Sequence, residues 1–376
     1  MANQSGGHEG VAGEGVQDER AGTAGGRRGF LTRSAVLAGT ATLGAGSSLA
    51  AGAAEPAAPP STGSGLAPVV GREYEAIKQV DGMAIKLSVW RKRLAPGAAR
   101  PTGRLPAAPL LFIHGSSTAG RASFDLQVPG KPVYSAMDWF ARLGYDVWCF
   151  DHEGYGKSDK RRQINADVAT GADDILAVSD LILRETGAAK AMMYGMSSGA
   201  LRAGLFAQRH PERVARLALD ALVWTGEGSP TLTERRKRID QWRSSNRRPL
   251  DRALVESIFT RDHPGTADAD VVRAFADALI AQDNTVPTGT YLDMTANLPV
   301  NDPTKITVPT IVMRGQWDGI ATLEDVLGFF SRLPNPDRQF TIMPGIAHSS
   351  MHEKNVEIVF NILDGFLRRP APRYLG

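Results

Sequence analysis

The sequence predicts an α/β fold: a mostly parallel eight-stranded sheet flanked by helices, with a helical cap inserted after strand six. Three observations predict it. From about Glu73 onward, short β-rich or apolar runs alternate with longer amphipathic ones; the alternation breaks once, between about Trp224 and Val308; and the residues able to do chemistry fall just past the apolar runs.

The elements follow in order. Glu73–Val80 and Ala84–Arg93 read as a hairpin turned at Asp81-Gly82. Pro109–His114 is a buried strand, 133–143 a helix, Asp146–Phe150 a strand and 167–185 an amphipathic helix. Lys190–Gly195 runs into a helix from Ser198 to about Arg209, and Val214–Leu222 is the sixth strand. The next eighty or so residues carry helical patterns such as 270–281 and no convincing strand, as expected for a cap over the strand ends. Val308–Met313, Phe340–Met343 and the helix 355–367 complete the core. The predicted organisation is therefore core at 71–223 and 305–376, with the cap at 224–304.

Composition sets limits on the class. A chain of 376 residues with 42% hydrophobic residues can bury an enzyme-sized core. The net charge of +3, from 43 basic and 40 acidic residues, is too small an excess to predict a nucleic-acid partner. The single cysteine, Cys149, excludes an intrachain disulfide, and its apolar neighbours Val147, Trp148 and Phe150 place it in the core.

The first seventy residues read as addressing. Residues 1–26 lack apolar periodicity; then Arg27-Arg28-Gly29-Phe30-Leu31-Thr32 and an uncharged stretch from Ser34 to Ala54 resemble a twin-arginine export signal spanning 1–55. Gly26 and Thr32 depart from that pattern, which usually has a polar residue and often a lysine at these places. The stretch is too rich in Gly, Ser and Thr for a lasting anchor, so a periplasmic or extracellular protein without stable membrane insertion is expected. Residues 56–70 read as a flexible linker.

Gly195-Met196-Ser197-Ser198-Gly199 lies where an apolar strand gives way to a helix. A serine on so sharp a turn presents its oxygen above the sheet, and small residues on either side let the backbone turn. A serine hydroxyl is a weak nucleophile that needs a base, and the base needs an orienting acid. His348, past the last strand in Pro344-Gly345-Ile346-Ala347-His348, is the predicted base, with His352 its rival. Asp318, in Gly315-Gln316-Trp317-Asp318-Gly319 past the seventh strand, is the predicted acid, with Asp220 the alternative. Catalytic groups of open α/β sheets gather at the C-terminal strand ends, where these residues fall.

From Glu73 to Leu367 the order of strands, insertion and Ser…Asp…His resembles the α/β-hydrolase superfamily, in its capped esterase and lipase-like branch. His114-Gly115-Ser116 and Asp151-His152-Glu153-Gly154-Tyr155-Gly156-Lys157-Ser158 add to the resemblance. It implies an oxyanion hole at the backbone N–H groups of Ser198 and Ser116. Glu153 stands where the family often has arginine or proline, with His152 read as turn structure or pocket lining. The expected activity is hydrolysis of a small ester or lactone through an acyl-enzyme. Cleavage of a carbon–carbon or amide bond, cofactor-free haloperoxidase activity and ligand binding without catalysis are the alternatives. Metal-ligand spacings and phosphate-cradling glycine loops are absent, so no cofactor or metal is expected. The basic run Arg235-Arg236-Lys237-Arg238, with Arg243, Arg247 and Arg248, reads as a solvated face or as an attractor of an acidic substrate.

Overall fold

The computed structural model describes residues 66–103 and 105–374, so the export signal expected at 1–55 and most of the linker lie outside the described residues. The strands are β1 (Val69–Val80), β2 (Met83–Leu94), β3 (Leu110–Ile113), β4 (Val147–Phe150), β5 (Ala191–Met196), β6 (Val214–Asp220), β7 (Arg247–Pro249), β8 (Thr285–Pro287), β9 (Thr310–Gly315) and β10 (Arg338–Met343). Eight of them form one sheet in the order β1-β2-β4-β3-β5-β6-β9-β10. The β1–β2 and β2–β4 pairs are antiparallel; every other pair in this sheet is parallel. This is the α/β-hydrolase fold, with its eight-stranded, mostly parallel sheet flanked by helices.

The central strands are buried on both faces, and the two-residue period of a strand divides their side chains between two cores. Leu110 and Phe112 of β3 join Cys149, Met192 and Tyr194 on one face; Leu111 and Ile113 join Trp148, Phe150 and Met193 on the other. The helix Val168–Thr186 covers the second face with Val168, Ile175, Val178 and Ile182, spaced to share one stripe. Its start is capped by the Asp167 carboxylate, which accepts from the Thr170 N–H at 2.7 Å, and it ends at Gly187 in the left-handed conformation.

Two boundaries differ from the sequence reading. β1 begins at Val69, inside the stretch assigned to the linker, because Val69 and Val70 pair with Leu94 and Arg93 and so extend the hairpin ladder. Within 224–304, β7 and β8 form an antiparallel ribbon among otherwise helical segments. Three-residue strands ending in proline carry no readable alternation, so only the structure discloses them. The helix expected at 270–281 is present as Ala269–Ile280.

Candidate functional site

Ser197 occupies the single residue between β5 and the helix Ser198–Arg209, with φ 59° and ψ −126°, a backbone state rare outside glycine. The flanking glycines are required sterically. A Cβ at Gly195 would lie 2.4 Å from the Gly199 carbonyl oxygen, and one at Gly199 would lie 2.3 Å from that of Ile113. The turn therefore presses the helix start against the end of β3, and Ser197 is held above both.

His348 reaches Ser197 from the loop after β10. Its Nε2 is 3.0 Å from Ser197 Oγ, and its Nδ1 is 2.8 Å from Asp318 Oδ1, in the loop after β9. With Nδ1–H donating to the carboxylate, the Nε2 lone pair faces the serine hydroxyl. Asp318 Oδ1 also accepts the Ile320 N–H at 3.0 Å, which fixes its rotamer. The His348 loop is braced by Glu353, whose carboxylate accepts the N–H groups of Ala347 (2.6 Å) and Ser349 (3.0 Å). Burial pushes the Glu353 carboxyl up to about 7 against the pull of those two donors.

The rival residues lie elsewhere. Asp220 accepts the hydroxyls of Tyr194 and Ser350 and makes no hydrogen bond to His348. Burial carries its carboxyl up to about 6, past the opposing effect of those hydroxyls. His352 is buried against Phe275, with Nδ1 3.1 Å from Ser349 Oγ, and burial lowers its imidazole to about 4. His152 is also fully buried, with its Nδ1 3.1 Å from Asp174, so it belongs to the turn and not to the pocket lining.

Ser116, after β3, and Ser198, the first residue of its helix, face one another: Ser116 Oγ donates to Ser198 Oγ at 2.8 Å. Backbone N–H groups in a helix's first turn have no intrahelical acceptor, so the Ser198 N–H is available beside the serine oxygen.

A pocket opens on Ser197. Gly115, Ser116 and His348 line it from the sheet, and Arg235, Arg261 and Tyr291 line it from the 224–304 insertion. The basic run thus divides: Arg235 is buried at the pocket, while Arg236, Lys237 and Arg238 are exposed. Trp242 packs edge-on to Tyr291 and Phe259 edge-on to Phe275 within the insertion, and Phe275 joins it to the core through His352, with ring centroids 4.4 Å apart.

Sequence reasoning missed Asp262, because nothing around it marks a site. Its carboxylate lies with Asp318 and His348 in a group whose ligand atoms are all within 4.8 Å of one another. Burial opposes its ionisation, but Arg261, 3.2 Å away, and His348 outweigh it and bring the carboxyl below its ordinary range. The three could reach one cation, yet His348 and Asp318 are already engaged with each other and with Ser197.

With this geometry established, the chain belongs to the family described as serine aminopeptidase, S33, which it matches over residues 133–355, more than half its length. A 2-hydroxy-6-oxononadienedioate/2-hydroxy-6-oxononatrienedioate hydrolase of Paraburkholderia phymatum is 33% identical over 130 residues, 32% of this chain and 38% of that protein. Its Burkholderia vietnamiensis counterpart is 34% identical over the same length. The match thus spans 38% of the length of these curated relatives. Among solved structures, an esterase from Thermogutta terrifontis superposes with a TM-score of 0.54 at 21% identity, covering 79% of this chain and 98% of that one. An enol-lactonase from Burkholderia xenovorans gives 0.53 at 18% identity, with coverages of 78% and 100%. These two likenesses establish the fold. Among the described residues no helix is long and apolar enough to cross a membrane.

Proposed function

We propose that the protein hydrolyses a small carboxylic ester or lactone through an acyl-enzyme on Ser197. The observation that carries this reading is the continuous hydrogen-bonded chain Ser197–His348–Asp318 opening on one pocket. Ser197 Oγ adds to the carbonyl carbon while His348 Nε2 takes its proton, and Asp318 holds the imidazolium that forms. The oxyanion is received by the N–H groups of Ser116 and Ser198, each such donor being worth about 100- to 1,000-fold in rate. Collapse expels the alcohol, which takes the proton from His348. Water then adds to the acyl carbon, gives its proton to His348, and the second collapse returns that proton to Ser197 as the acid leaves. The 224–304 insertion serves as the cap that shapes the pocket, and residues 1–55 serve as a twin-arginine export signal.

A second reading is cleavage of a carbon–carbon bond by the same residues. It is supported by the names of the relatives matched over 130 residues, hydrolases of 2-hydroxy-6-oxononadienedioate. A graded panel of aryl, alkyl and lactone esters, run beside a vinylogous keto acid, separates the two. Ser197→Ala is expected to lower turnover of the accepted class by about 10,000-fold or more and to abolish fluorophosphonate labelling. Unchanged turnover in Ser197→Ala removes the mechanism. The export assignment is tested by fractionation, with Arg27→Lys and Arg28→Lys together expected to retain the protein in the cytoplasm.

A further inference from the structure

Buried charges need partners. Removing a charge from water without an opposite charge or a full set of hydrogen bonds is strongly unfavourable. Two arginines of the insertion break this rule beside the Ser197 pocket. Arg235 and Arg248 are 8% and 5% exposed, and neither makes an ion pair with a carboxylate among the described residues. Among the described residues, the one polar contact of the Arg235 guanidinium is with Met294 Sδ at 4.0 Å. Arg248 donates through Nη2 to the Ser116 carbonyl (3.1 Å) and Ser117 Oγ (2.6 Å), while its Nε and Nη1 have no partner among the described residues.

Both stack on the Tyr291 ring, with guanidinium carbons 4.1 and 3.9 Å from its centroid. The Tyr291 hydroxyl lies 3.3 Å from Ser117 Oγ, in the loop that supplies Ser116. A third cation, Arg261, lines the same pocket but is matched by Asp262. Even an ionised Tyr291 would offset only one of the two remaining guanidinium charges. Burial bears directly on Arg235, lowering it to about 10. Guanidinium is the side chain best suited to a planar, two-oxygen acceptor, through paired N–H donors. What is missing from this side of the pocket is therefore an anion of that shape.

We propose that the substrate carries a carboxylate, received by Arg235 at the cap side of the pocket while its ester or lactone carbonyl lies at Ser197. Arg248, behind the Tyr291 ring, adds a second positive charge and ties that side of the pocket to the Ser116 loop. This rests on the hydrolase reading above, and the test separates the two. Matched aryl esters of butyrate and of glutarate, the second with a free carboxylate, are compared by kcat/KM in wild type, Arg235→Met and Arg235→Lys. A third ester places the carboxylate on the leaving group and reports which side of the carbonyl the anion occupies.

A carboxylate-bearing ester is expected to be preferred by about 10- to 100-fold, the worth of one charge-assisted hydrogen bond. That ratio falls towards one in Arg235→Met and is partly kept in Arg235→Lys. A wild-type ratio of one or less for both charged esters, or a ratio unmoved by Arg235→Met, overturns the proposal. If no ester is turned over, the ester and lactone reading fails while the anion site is still judged by calorimetry. Glutarate should bind the Ser197→Ala protein, with affinity lost when Arg235→Met is added. Absence of binding, or tighter binding of inorganic phosphate than of glutarate, overturns the carboxylate assignment.

Discussion

Two groups of buried charge, one in the core and one in the 224–304 insertion, are built in opposite ways. In the core, Lys78 from β1 is 2.5 Å from Asp174 and 2.7 Å from Glu153. Arg162 meets both oxygens of Glu153 at 2.7 and 2.8 Å, and Asp174 also accepts the Glu153 N–H. Burial works against the charge on Lys78, but the two carboxylates outweigh it and raise its pKa. In the insertion, Arg235 and Arg248 are buried as deeply and left unpaired around Tyr291. A closed network specifies a fold; an open one, facing a pocket, costs stability and is explained by a ligand. The Ser197–His348–Asp318 chain stands between these cases, internally paired but with one hydroxyl directed at the cavity.

The largest effect expected from breaking this arrangement is on the chain of three. Asp318→Asn removes the acceptor that sets the His348 tautomer and should lower kcat by about 1,000- to 10,000-fold. Asp220→Asn, at a carboxyl held by Tyr194 and Ser350, should lower it by less than about tenfold. The reverse order of effects would transfer the orienting role to Asp220.

The next effect is on stability and separates the two charge groups directly. Lys78→Met leaves Asp174 and Glu153 short of their buried cation and should cost about 3–5 kcal/mol in chemical denaturation. Arg235→Met, measured below pH 6 where Tyr291 is protonated, removes an unpaired buried charge and should cost nothing, or stabilise by ~1–3 kcal/mol. Equal losses from both would mean that Arg235 is held by the fold as firmly as Lys78.

How much of this the sequence disclosed follows the same division. Ser197 was legible because its turn needs Gly195 and Gly199 two residues to either side, and local sterics leave a local signature. His348 and Asp318 were legible by position, each a few residues past an apolar strand. The sheet was legible from alternation alone. The convergence of Arg235, Arg248 and Tyr291 was not, because these residues come from separate short segments whose mutual packing has no periodic trace. The basic run reads as one feature in sequence, yet packing buries Arg235 and leaves its next three neighbours in solvent. Asp262 escaped notice for the same reason, as did the Lys78–Asp174 pair, 96 residues apart.

The smallest and most specific effect is the titration of Tyr291. Burial alone would raise this phenol above its usual 10, but the guanidiniums of Arg235 and Arg248 outweigh burial, with help from the Ser117 hydroxyl, and bring it down to about 6. A phenol whose folded pKa is depressed stabilises the fold in its ionised form. The contribution is fully present above pH 10 and is lost as pH falls through about 6. The stability difference between wild type and Tyr291→Phe should therefore grow in favour of wild type across that window. The near-ultraviolet phenolate absorbance, taken as wild type minus Tyr291→Phe, should rise with a midpoint of about 6, and Arg235→Met should move that midpoint upward. A midpoint that stays near 10 would mean that the guanidiniums do not bear on the ring as placed. The contrast between a paired core and an open, positively charged cap would then fail at its centre.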